Sequence, residues 1–257
     1  MKVIAVSTQK GGEGKTTTSA ALLSGLTIKG FKVLAIDLDA QGNLTNITGC
    51  NSTDKNTLGL LTREYAVQEA IQKTESGDLI ASSSSLSSID VILQSEIGKA
   101  HRLKKALESI STLYDYVIID CPPALGTLTA NALTASDYVI IPAQADISSL
   151  QGISQLWDTI QEAREYTNSK LEIVGILLTR YNDRATLNRE IERQLREEVA
   201  PLMNTRLFNS TIREAVAIRE SKYMQQSIFT YAPKSKVATD YKNFIEELLS
   251  LITSREE

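Results

Sequence analysis

The sequence predicts an α/β fold in which a mainly parallel, twisted sheet carries helices on both faces. Short apolar runs alternate along the chain with longer segments of helical periodicity, the order expected of βαβ units. Residues 33–36 are apolar at every position, as in strands covered by helices on both sides. Glycine-rich or acidic stretches follow the carboxyl ends of several runs, where open parallel sheets bind ligands.

Composition limits the class of protein. With 257 residues, 42% of them apolar, and no Pro/Gly/Ser-rich linker, residues 1–257 are expected to form a single domain. The net charge of −4 and the pI near 5.3 argue against general coating of nucleic acid. Residues 180–242 nevertheless carry 12 Lys/Arg against 8 Asp/Glu, so a local basic surface is possible there.

The two cysteines and the single histidine bear on the redox compartment and on the kinds of site that are expected. Cys50 and Cys121 lack CxxC spacing and there is a single histidine, which argues against a disulfide framework and a zinc site. A reducing cytoplasm is the default expectation. No signal-peptide pattern precedes the first strand, and no apolar run approaches the ~20 residues of a membrane span.

The glycine-rich turn after the first strand has the features of a phosphate-binding loop. Residues 10–17 read K-G-G-E-G-K-T-T and follow an apolar run. Gly11, Gly12 and Gly14 let backbone N–H groups approach phosphate oxygens, and the following helix, predicted over residues 17–29, directs its positive dipole end at the same anion.

Side chains of this turn suit a nucleotide and its metal. Lys15 is expected to contact the β- and γ-phosphates, and the Thr16 hydroxyl to ligate Mg²⁺. Thr17 opens the helix, and the backbone of Glu13 remains able to donate to phosphate. The carboxylate of Glu13 repels a triphosphate unless a cation lies close to it.

Two further strands end in carboxylates. Asp37 and Asp39 follow the apolar residues 33–36, in the stretch D-L-D-A-Q-G-N. Asp120 ends a strand predicted over residues 114–120 and is expected to hold Mg²⁺ as a Walker B residue. The adjacent prolines and the glycine of C-P-P-A-L-G, residues 121–126, combine a fixed backbone with a hinge that can sense the γ-phosphate. An aspartate at a strand end can also simply cap the next turn.

The other elements are predicted from periodicity. The region from residue 46 to 88 is polar and carries little functional information: a turn over 51–54, a short amphipathic helix over 65–74 and a mobile serine-rich surface loop over 82–88 are expected. The remaining predicted strands span residues 89–93, 138–143 and 173–179, and the remaining helices span residues 147–166, 185–199 and 238–252.

These motifs resemble those of one family. K-G-G-E-G-K-T-T resembles the deviant Walker A loop of the ParA/MinD ATPases, and D-L-D-A-Q-G-N resembles their switch I, D-x-D-P-Q-G-N, with Ala40 in place of proline. D-C-P-P-A-L-G-T-L-T-A-N-A-L, residues 120–133, is similar to switch II of the ParA/Soj branch. Y-A-P-K-S-K-V-A, residues 231–238, is similar to the family's Y-x-P-x-S-x-x-A.

The resemblance implies a P-loop NTPase fold, Mg²⁺-dependent ATP hydrolysis and an ATP-sandwich homodimer. It implies that Lys10 reaches the phosphates of the partner's nucleotide, that Asp39 places the attacking water and that Asp37 supports the metal site. Asn182, in T-R-Y-N, becomes a candidate for reading adenine. The family usually has a small or apolar residue where Glu13 stands, and we expect Glu13 to face a basic group across the dimer interface.

Non-specific DNA binding by the ATP dimer and stimulation by a ParB-like centromere-binding partner are also implied, with a cytoplasmic, nucleoid-associated location. Arg189, Arg193 and Arg196 share one side of a predicted helix, either as a DNA patch or as a solvated face paired with neighbouring glutamates. The remaining candidates for the patch are Arg213, Arg219, Lys222, Lys234 and Lys236. The family's I-P-R-N-V-R-L-S-E-A-P differs here, so the arginine positions have shifted.

Two other functions fit the scaffold. A MinD-like membrane-cycling ATPase needs a basic amphipathic tail, but residues 243–257 end in an acidic stretch that an anionic bilayer repels, so no membrane partner is expected. A metabolic ligase or reductase needs further catalytic side chains or cysteine ligands. The two cysteines lack the setting of a bridging iron–sulfur site.

Overall fold

The computed structural model describes residues 1–52 and 55–254. Within them, one seven-stranded sheet has the order β3-β4-β2-β5-β1-β6-β7, and β3–β4 is its antiparallel pair. The remaining neighbours are parallel. The strands are β1 (Lys2–Val6), β2 (Val33–Asp37), β3 (Ile71–Thr74), β4 (Gly77–Ile80), β5 (Tyr116–Asp120), β6 (Tyr138–Ala143) and β7 (Glu172–Leu178).

Helices connect these strands. They are α1 (Lys15–Ile28), α2 (Asn43–Ile47), α3 (Thr57–Thr62), α4 (Val67–Ala70), α5 (Ile89–Ile92), α6 (Arg102–Glu108), α7 (Thr127–Ala135), α8 (Ile147–Tyr166), α9 (Thr186–Gln194), α10 (Ala200–Leu202), α11 (Val216–Tyr223), α12 (Ile228–Tyr231) and α13 (Lys236–Thr253). Short 3₁₀ turns span Ser84–Ser88 and Lys99–His101, and a π-helical turn over Leu195–Val199 continues α9.

The sheet has an apolar layer on each face because successive side chains of a strand point to opposite sides. In β1, Val3 and Ala5 belong to the layer covered by α3, α6, α7 and α8, whereas Ile4 and Val6 belong to the layer covered by α1, α12 and α13. The α/β fold with a mainly parallel sheet and helices on both faces is confirmed. Burial on both sides explains why the central strands are apolar throughout.

Register brings the acidic strand ends together. Asp120 of β5 lies opposite Val6 of β1 on one side and Asp37 of β2 on the other. The glycine-rich turn leaves the same edge, directly after β1. This edge therefore collects the segments from which the candidate site is built.

The strand predicted over residues 89–93 is wrong, since Ile89–Ile92 form α5 and Leu93 follows directly after it. Ile89 and Leu93 are buried at 1% and 2% exposure, while Val91 between them is 76% exposed. Burial at positions i and i+4 is the helical pattern, and a run this short carries too few positions to distinguish a helix from a strand.

The region before α5 also differs from the prediction. Only Val67–Ala70 of the helix predicted over residues 65–74 is helical, and β3 continues into a hairpin with β4, a strand that was not predicted. The serine-rich segment is not a simple surface loop, because Ser82 and Leu86 are fully buried. The turn predicted over residues 51–54 includes Thr53 and Asp54, which lie outside the described residues.

No helix within residues 1–52 and 55–254 combines the length and apolar character needed to cross a bilayer.

Candidate nucleotide-binding site

The glycine-rich turn has a backbone that only glycine adopts without strain at two positions. Gly12 and Gly14 have φ of +84° and +90°, and a Cβ on Gly14 would lie 3.3 Å from Thr179 Cγ2. Thr179, directly after β7, donates its hydroxyl to the Glu13 carbonyl at 2.8 Å. The free N–H groups of the first turn of α1 begin at Lys15, so the loop and the helix end form one anion-binding surface.

A cleft of about 500 Å³ lies against this surface. It is bordered by the glycine loop, the start of α1, the segment after β2, the loop after β5 and the end of α11. Its lining residues are Gly11, Gly12, Gly14, Lys15, Thr16, Thr17, Asp39, Asn43, Asn46, Ile47, Pro123, Arg180, Lys222 and Tyr223. Most of the predicted phosphate-site residues are therefore brought to a single cleft.

Lys15 lies within the loop. It is 7% exposed, and its Nζ donates to the carbonyls of Thr8 at 2.9 Å and Lys10 at 3.2 Å. Burial lowers the pKa of Lys15, although the negative charge of Asp120 opposes this shift. The ammonium is thus held by two neutral carbonyls, and a phosphate oxygen offers it a stronger, charged acceptor.

Asp120 has a free acceptor where a cation is expected. It is fully buried, its Oδ1 accepts from Ser19 Oγ at 3.0 Å, and Thr16 also hydrogen-bonds to its carboxylate. Asp120 Oδ2 has no hydrogen-bond donor among the described residues. Burial, and then the charge of Asp37, raise the pKa of Asp120. A hard divalent cation satisfies both this oxygen and this charge.

The donor set fits Mg²⁺. Within residues 1–52 and 55–254 no cluster of three or more His, Cys, Asp or Glu side chains is arranged to hold a metal. Mg²⁺ is typically bound by one or two protein oxygens together with substrate phosphates and water. Thr16 and Asp120 provide such a partial set beside the phosphate loop.

Asp37 has a supporting position. Its Oδ2 accepts from the backbone N–H and the hydroxyl of Thr45, each at 2.8 Å, and its Oδ1 accepts from the Asp39 N–H at 3.1 Å. Burial raises the pKa of Asp37. Since both oxygens are engaged, Asp37 holds α2 and Asp39 in place, whereas Asp120 has the oxygen that is free for a metal.

Asp39 faces the cleft. Its Oδ1 accepts from the Gln41 N–H at 3.0 Å, and its carbonyl accepts from Ser82 Oγ at 2.6 Å. Ser82 also donates its N–H to Thr45 Oγ1 at 2.9 Å. The buried serine therefore connects the backbone of Asp39 to the bracing network of Asp37.

Lys10 is paired within its own chain. Its Nζ lies 2.6 Å from Asp146 Oδ2 and 3.0 Å from Glu13 Oε1. Although burial opposes the shift, these two carboxylates raise the pKa of Lys10. Hydrogen bonds from Lys10, Ser148 and Ser149 outweigh burial and lower the pKa of Asp146.

Glu13 is buried rather than solvated. Its carboxylate accepts from Ser149 Oγ at 2.9 Å and from the Gln144 N–H, in addition to its ion pair with Lys10. We expected a basic group from across a dimer interface. Within the chain, Lys10 lies three residues earlier in the sequence and already places a basic group beside Glu13.

Asn182 borders a neighbouring cavity of about 390 Å³. Its Oδ1 accepts from the Arg184 N–H at 3.1 Å, and Arg180 lines both this cavity and the phosphate cleft. The structure therefore places Asn182 next to the cleft but not in its lining.

Several predicted DNA-contacting arginines have carboxylate partners. Arg193 pairs with Glu190 at 2.5 Å and Glu197 at 3.3 Å, and Arg196 pairs with Glu192 at 3.1 Å. Arg213 binds Asp240 through two side-chain hydrogen bonds of 2.6 and 2.8 Å. Of the two readings of the α9 face, the structure contains the ion-paired one for Arg193 and Arg196.

The other basic candidates divide between the surface and the cleft. Arg189, Arg219, Lys234 and Lys236 are exposed, and none of the described residues forms a salt bridge with them. Lys222 instead lines the cleft beside the phosphate loop. The fold therefore places Lys222 at the cleft and not on the predicted surface patch.

Asp146, Ser149 and Ser82 contribute to the site but were not predicted from the sequence. Asp146 follows the carboxyl end of β6 and caps α8 by accepting from the Ser149 N–H at 2.8 Å. A polar residue directly after a predicted parallel strand is a signal that would have found Asp146. Nothing local distinguishes Ser82 from its neighbouring serines, because its role depends on contact with a distant segment.

The chain is similar in sequence to several known proteins. A family model described as an AAA domain matches residues 1–173. The sporulation initiation inhibitor protein Soj of Bacillus subtilis is 38% identical over 251 residues, which cover 96% of this chain and 98% of Soj. The chromosome partitioning protein ParA of Caulobacter vibrioides is 34% identical over 256 residues, which cover 97% of this chain and 94% of ParA.

Solved structures agree with these matches. A cobyrinic acid a,c-diamide synthase from Mycobacterium smegmatis, crystallised with an ATP analog and magnesium, is 32% identical with a TM-score of 0.85, covering 99% of this chain and 96% of that one. A putative plasmid partition protein from Borrelia burgdorferi, bound to AMPPNP, is 27% identical with a TM-score of 0.77, covering 99% of each chain. With its deviant glycine loop, its acidic strand ends and relatives aligned over nearly its whole length, this chain belongs to the ParA/Soj family of partitioning ATPases.

Proposed function

We propose that residues 1–257 act as one ATPase domain that partitions DNA, closing into a homodimer around ATP and Mg²⁺. One observation carries the proposal: a glycine loop with Lys15 and Thr16 lines the cleft, and Thr16 hydrogen-bonds to Asp120, whose buried Oδ2 has no donor among the described residues. The names of the Soj and ParA relatives support the same assignment.

The phosphate site follows from the loop. Backbone N–H groups from Gly11 to Thr17 cradle the phosphates, and Lys15 exchanges its two carbonyl acceptors for phosphate oxygens. Thr16 and Asp120 would hold Mg²⁺, which when bound would neutralise negative charge on the phosphates. Asn182 lies near the expected adenine end. ATP binding would place negative charge where Lys15 and the helix dipole favour it.

Hydrolysis uses Asp39 to place a water in line with the γ-phosphate. The water oxygen forms a bond to the γ-phosphorus as the bond from that phosphorus to the β–γ bridging oxygen breaks, yielding ADP and phosphate, and a phosphate oxygen takes up the proton that the water loses. Lys10 and Lys15 stabilise the charge that develops. Asp37 accepts from the Asp39 N–H and Ser82 donates to the Asp39 carbonyl, so the two residues fix the position of the Asp39 backbone in the cleft.

Dimerisation requires Lys10 to change partners. In the isolated chain its ammonium is held by Asp146 and Glu13, and in the dimer it would bind the partner's nucleotide. The exchange replaces two carboxylates with a polyphosphate of higher charge. ATP is therefore expected to favour closure more than ADP does.

The partners proposed are non-specific DNA and a ParB-like centromere-binding protein that stimulates hydrolysis, at a cytoplasmic, nucleoid-associated location. The exposed and unpaired Arg189, Arg219, Lys234 and Lys236 are the strongest DNA candidates among the described residues. Arg193, Arg196 and Arg213 are weaker, because a phosphate must compete with their carboxylates.

DNA retardation with ATP, ADP or no nucleotide tests the function, at ~50 mM salt, where phosphate contacts are strongest. We expect binding with ATP only, together with a doubling of mass in light scattering. Asp39→Ala should retain the dimer while losing hydrolysis. DNA binding that is indifferent to nucleotide, or a mass unchanged by ATP, contradicts the proposal.

The membrane-cycling and metabolic alternatives have distinct outcomes in the same series. Co-sedimentation with anionic vesicles in the presence of ATP indicates a MinD-like cycle. The similarity to a cobyrinic acid a,c-diamide synthase makes a synthase the second candidate. ATP hydrolysis that requires a carboxylic acid and an amide-nitrogen donor, and ignores DNA, would favour that enzyme.

A further inference from the structure

Lys222 occupies an unexpected place for a surface lysine. It lies near the end of α11 and borders the cleft that also contains Lys15, Thr16 and Asp39. It also borders two smaller adjoining cavities, and Thr17 lines both of them as well. Lys222 therefore approaches the first turn of α1 from the side of the cleft that the C-terminal third of the chain forms.

The electrostatic setting of Lys222 is unfavourable within the described chain. Burial lowers the pKa of Lys222, the charge of Asp120 raises it, and the neighbouring charge of Arg180 lowers it again. No carboxylate among the described residues forms a salt bridge with Lys222 or Arg180. Two neighbouring cations with no salt-bridged carboxylate, one of them partly buried, raise the free energy of the folded state unless an anion joins them.

Arg180 is held in a costly backbone conformation. Its φ is +48°, which is uncommon for a residue other than glycine. The flanking residues are fixed, since Thr179 N–H donates to the Ala143 carbonyl at 2.8 Å and Tyr181 N–H donates to the Ile212 carbonyl at 3.0 Å. Strain of this kind persists where surrounding structure enforces it, often at binding sites.

Other cationic side chains of the same region differ from Lys222 and Arg180 in that they form salt bridges. Arg193, Arg196 and Arg213 each have a carboxylate partner. The pair formed by Lys222 and Arg180 is distinguished by facing the phosphate cleft without one.

We propose that Lys222, with Arg180 beside it, binds the phosphate chain of the nucleotide from the α11 side of the cleft. This inference rests on the proposed ATPase function and adds a cationic wall to the site, facing the glycine loop. It removes Lys222 from the DNA-binding surface. Because α11 also carries the exposed Tyr223 and Arg219, occupation of the site by a polyphosphate fixes the position of that helix.

The test compares Mg²⁺-dependent binding of fluorescent ATP and ADP analogues to wild type, Lys222→Gln, Lys222→Arg and Lys242→Gln. Lys242 is an exposed lysine on α13 and lines none of these cavities, so it controls for net charge. We expect Lys222→Gln to weaken both nucleotides about tenfold or more, since a charged hydrogen bond is lost. Lys222→Arg should recover most of the affinity and Lys242→Gln should match wild type.

Thermal unfolding without nucleotide separates binding from folding. Lys222→Gln should have an unchanged or higher midpoint, because removing an uncompensated cation does not destabilise the empty cleft. Nucleotide affinity equal to wild type, or a loss that Lys222→Arg does not restore, overturns the inference. Unchanged nucleotide affinity with weaker DNA binding would return Lys222 to the DNA surface. Failure of wild type itself to bind nucleotide would instead refute the proposed function.

Discussion

Replacing Glu13 with Gln removes one of the two negative charges that hold Lys10 inside its own chain. Lys10 Nζ lies 3.0 Å from Glu13 Oε1 and 2.6 Å from Asp146 Oδ2. Glutamine has nearly the volume of glutamate, so the substitution changes charge and hydrogen bonding without opening a cavity. Because Lys10 must leave these carboxylates to reach a partner's nucleotide, we expect E13Q to form the ATP dimer more readily.

The magnitude follows from the surroundings of the pair. The Glu13 side chain is fully buried and the Lys10 side chain is 29% exposed, so water screens the interaction only in part. A hydrogen bond to a charged group contributes about 1.5–3 kcal/mol, and the exposure of Lys10 favours the lower value. A symmetric dimer releases two such pairs, and 1.4 kcal/mol is tenfold, so the dimer dissociation constant should fall roughly 100-fold.

Sedimentation velocity over a protein concentration series, with Mg²⁺ and a non-hydrolysable ATP analogue, measures this constant. The matched control is Glu69→Gln, because Glu69 forms an exposed ion pair with Lys55 at 2.6 Å, away from the loop. Thermal unfolding checks that E13Q remains folded despite losing an acceptor for Ser149 and Gln144. A dimer constant for E13Q equal to or weaker than that of wild type would refute the argument that Glu13 restrains Lys10.

Four further substitutions probe the metal site, the core and the DNA surface. Burial raises the pKa of Asp37 and Asp120, so above about pH 4 these two carboxyl groups bind more protons in the metal-free native chain than in the unfolded chain. The free energy of unfolding in EDTA should therefore fall as pH rises, and Asp120→Asn should flatten this decline in urea titrations. Gly25→Ala places a Cβ 2.3 Å from Ile245 Cδ1, between α1 and α13, and should destabilise the fold by about 1–3 kcal/mol in the same titrations. Arg189→Ala should reduce the steepness of log DNA affinity plotted against log salt by about 1. Arg193→Ala should reduce it less, because Glu190 and Glu197 already pair with Arg193. Equal changes in the two variants would contradict this ranking.

Local sequence was sufficient for the elements of the nucleotide site. Glycine spacing, the residues after each buried strand and the order of strand, loop and helix are properties of short segments, and they located the loop, Asp39 and Asp120. The same reasoning was wrong for residues 89–93 and missed β4, because runs of four or five residues acquire their conformation from what they pack against.

The sequence by itself determined the α/β class and the phosphate loop, since both depend on periodicity and on glycine backbone conformations encoded locally. Tertiary structure alone decided which charges meet. Lys10 and Asp146 are 136 positions apart in the chain, and Lys222 reaches the cleft only because α11 packs near α2. Charged groups interact through space over a few ångströms, so the fold, and not their separation along the sequence, determines which groups pair.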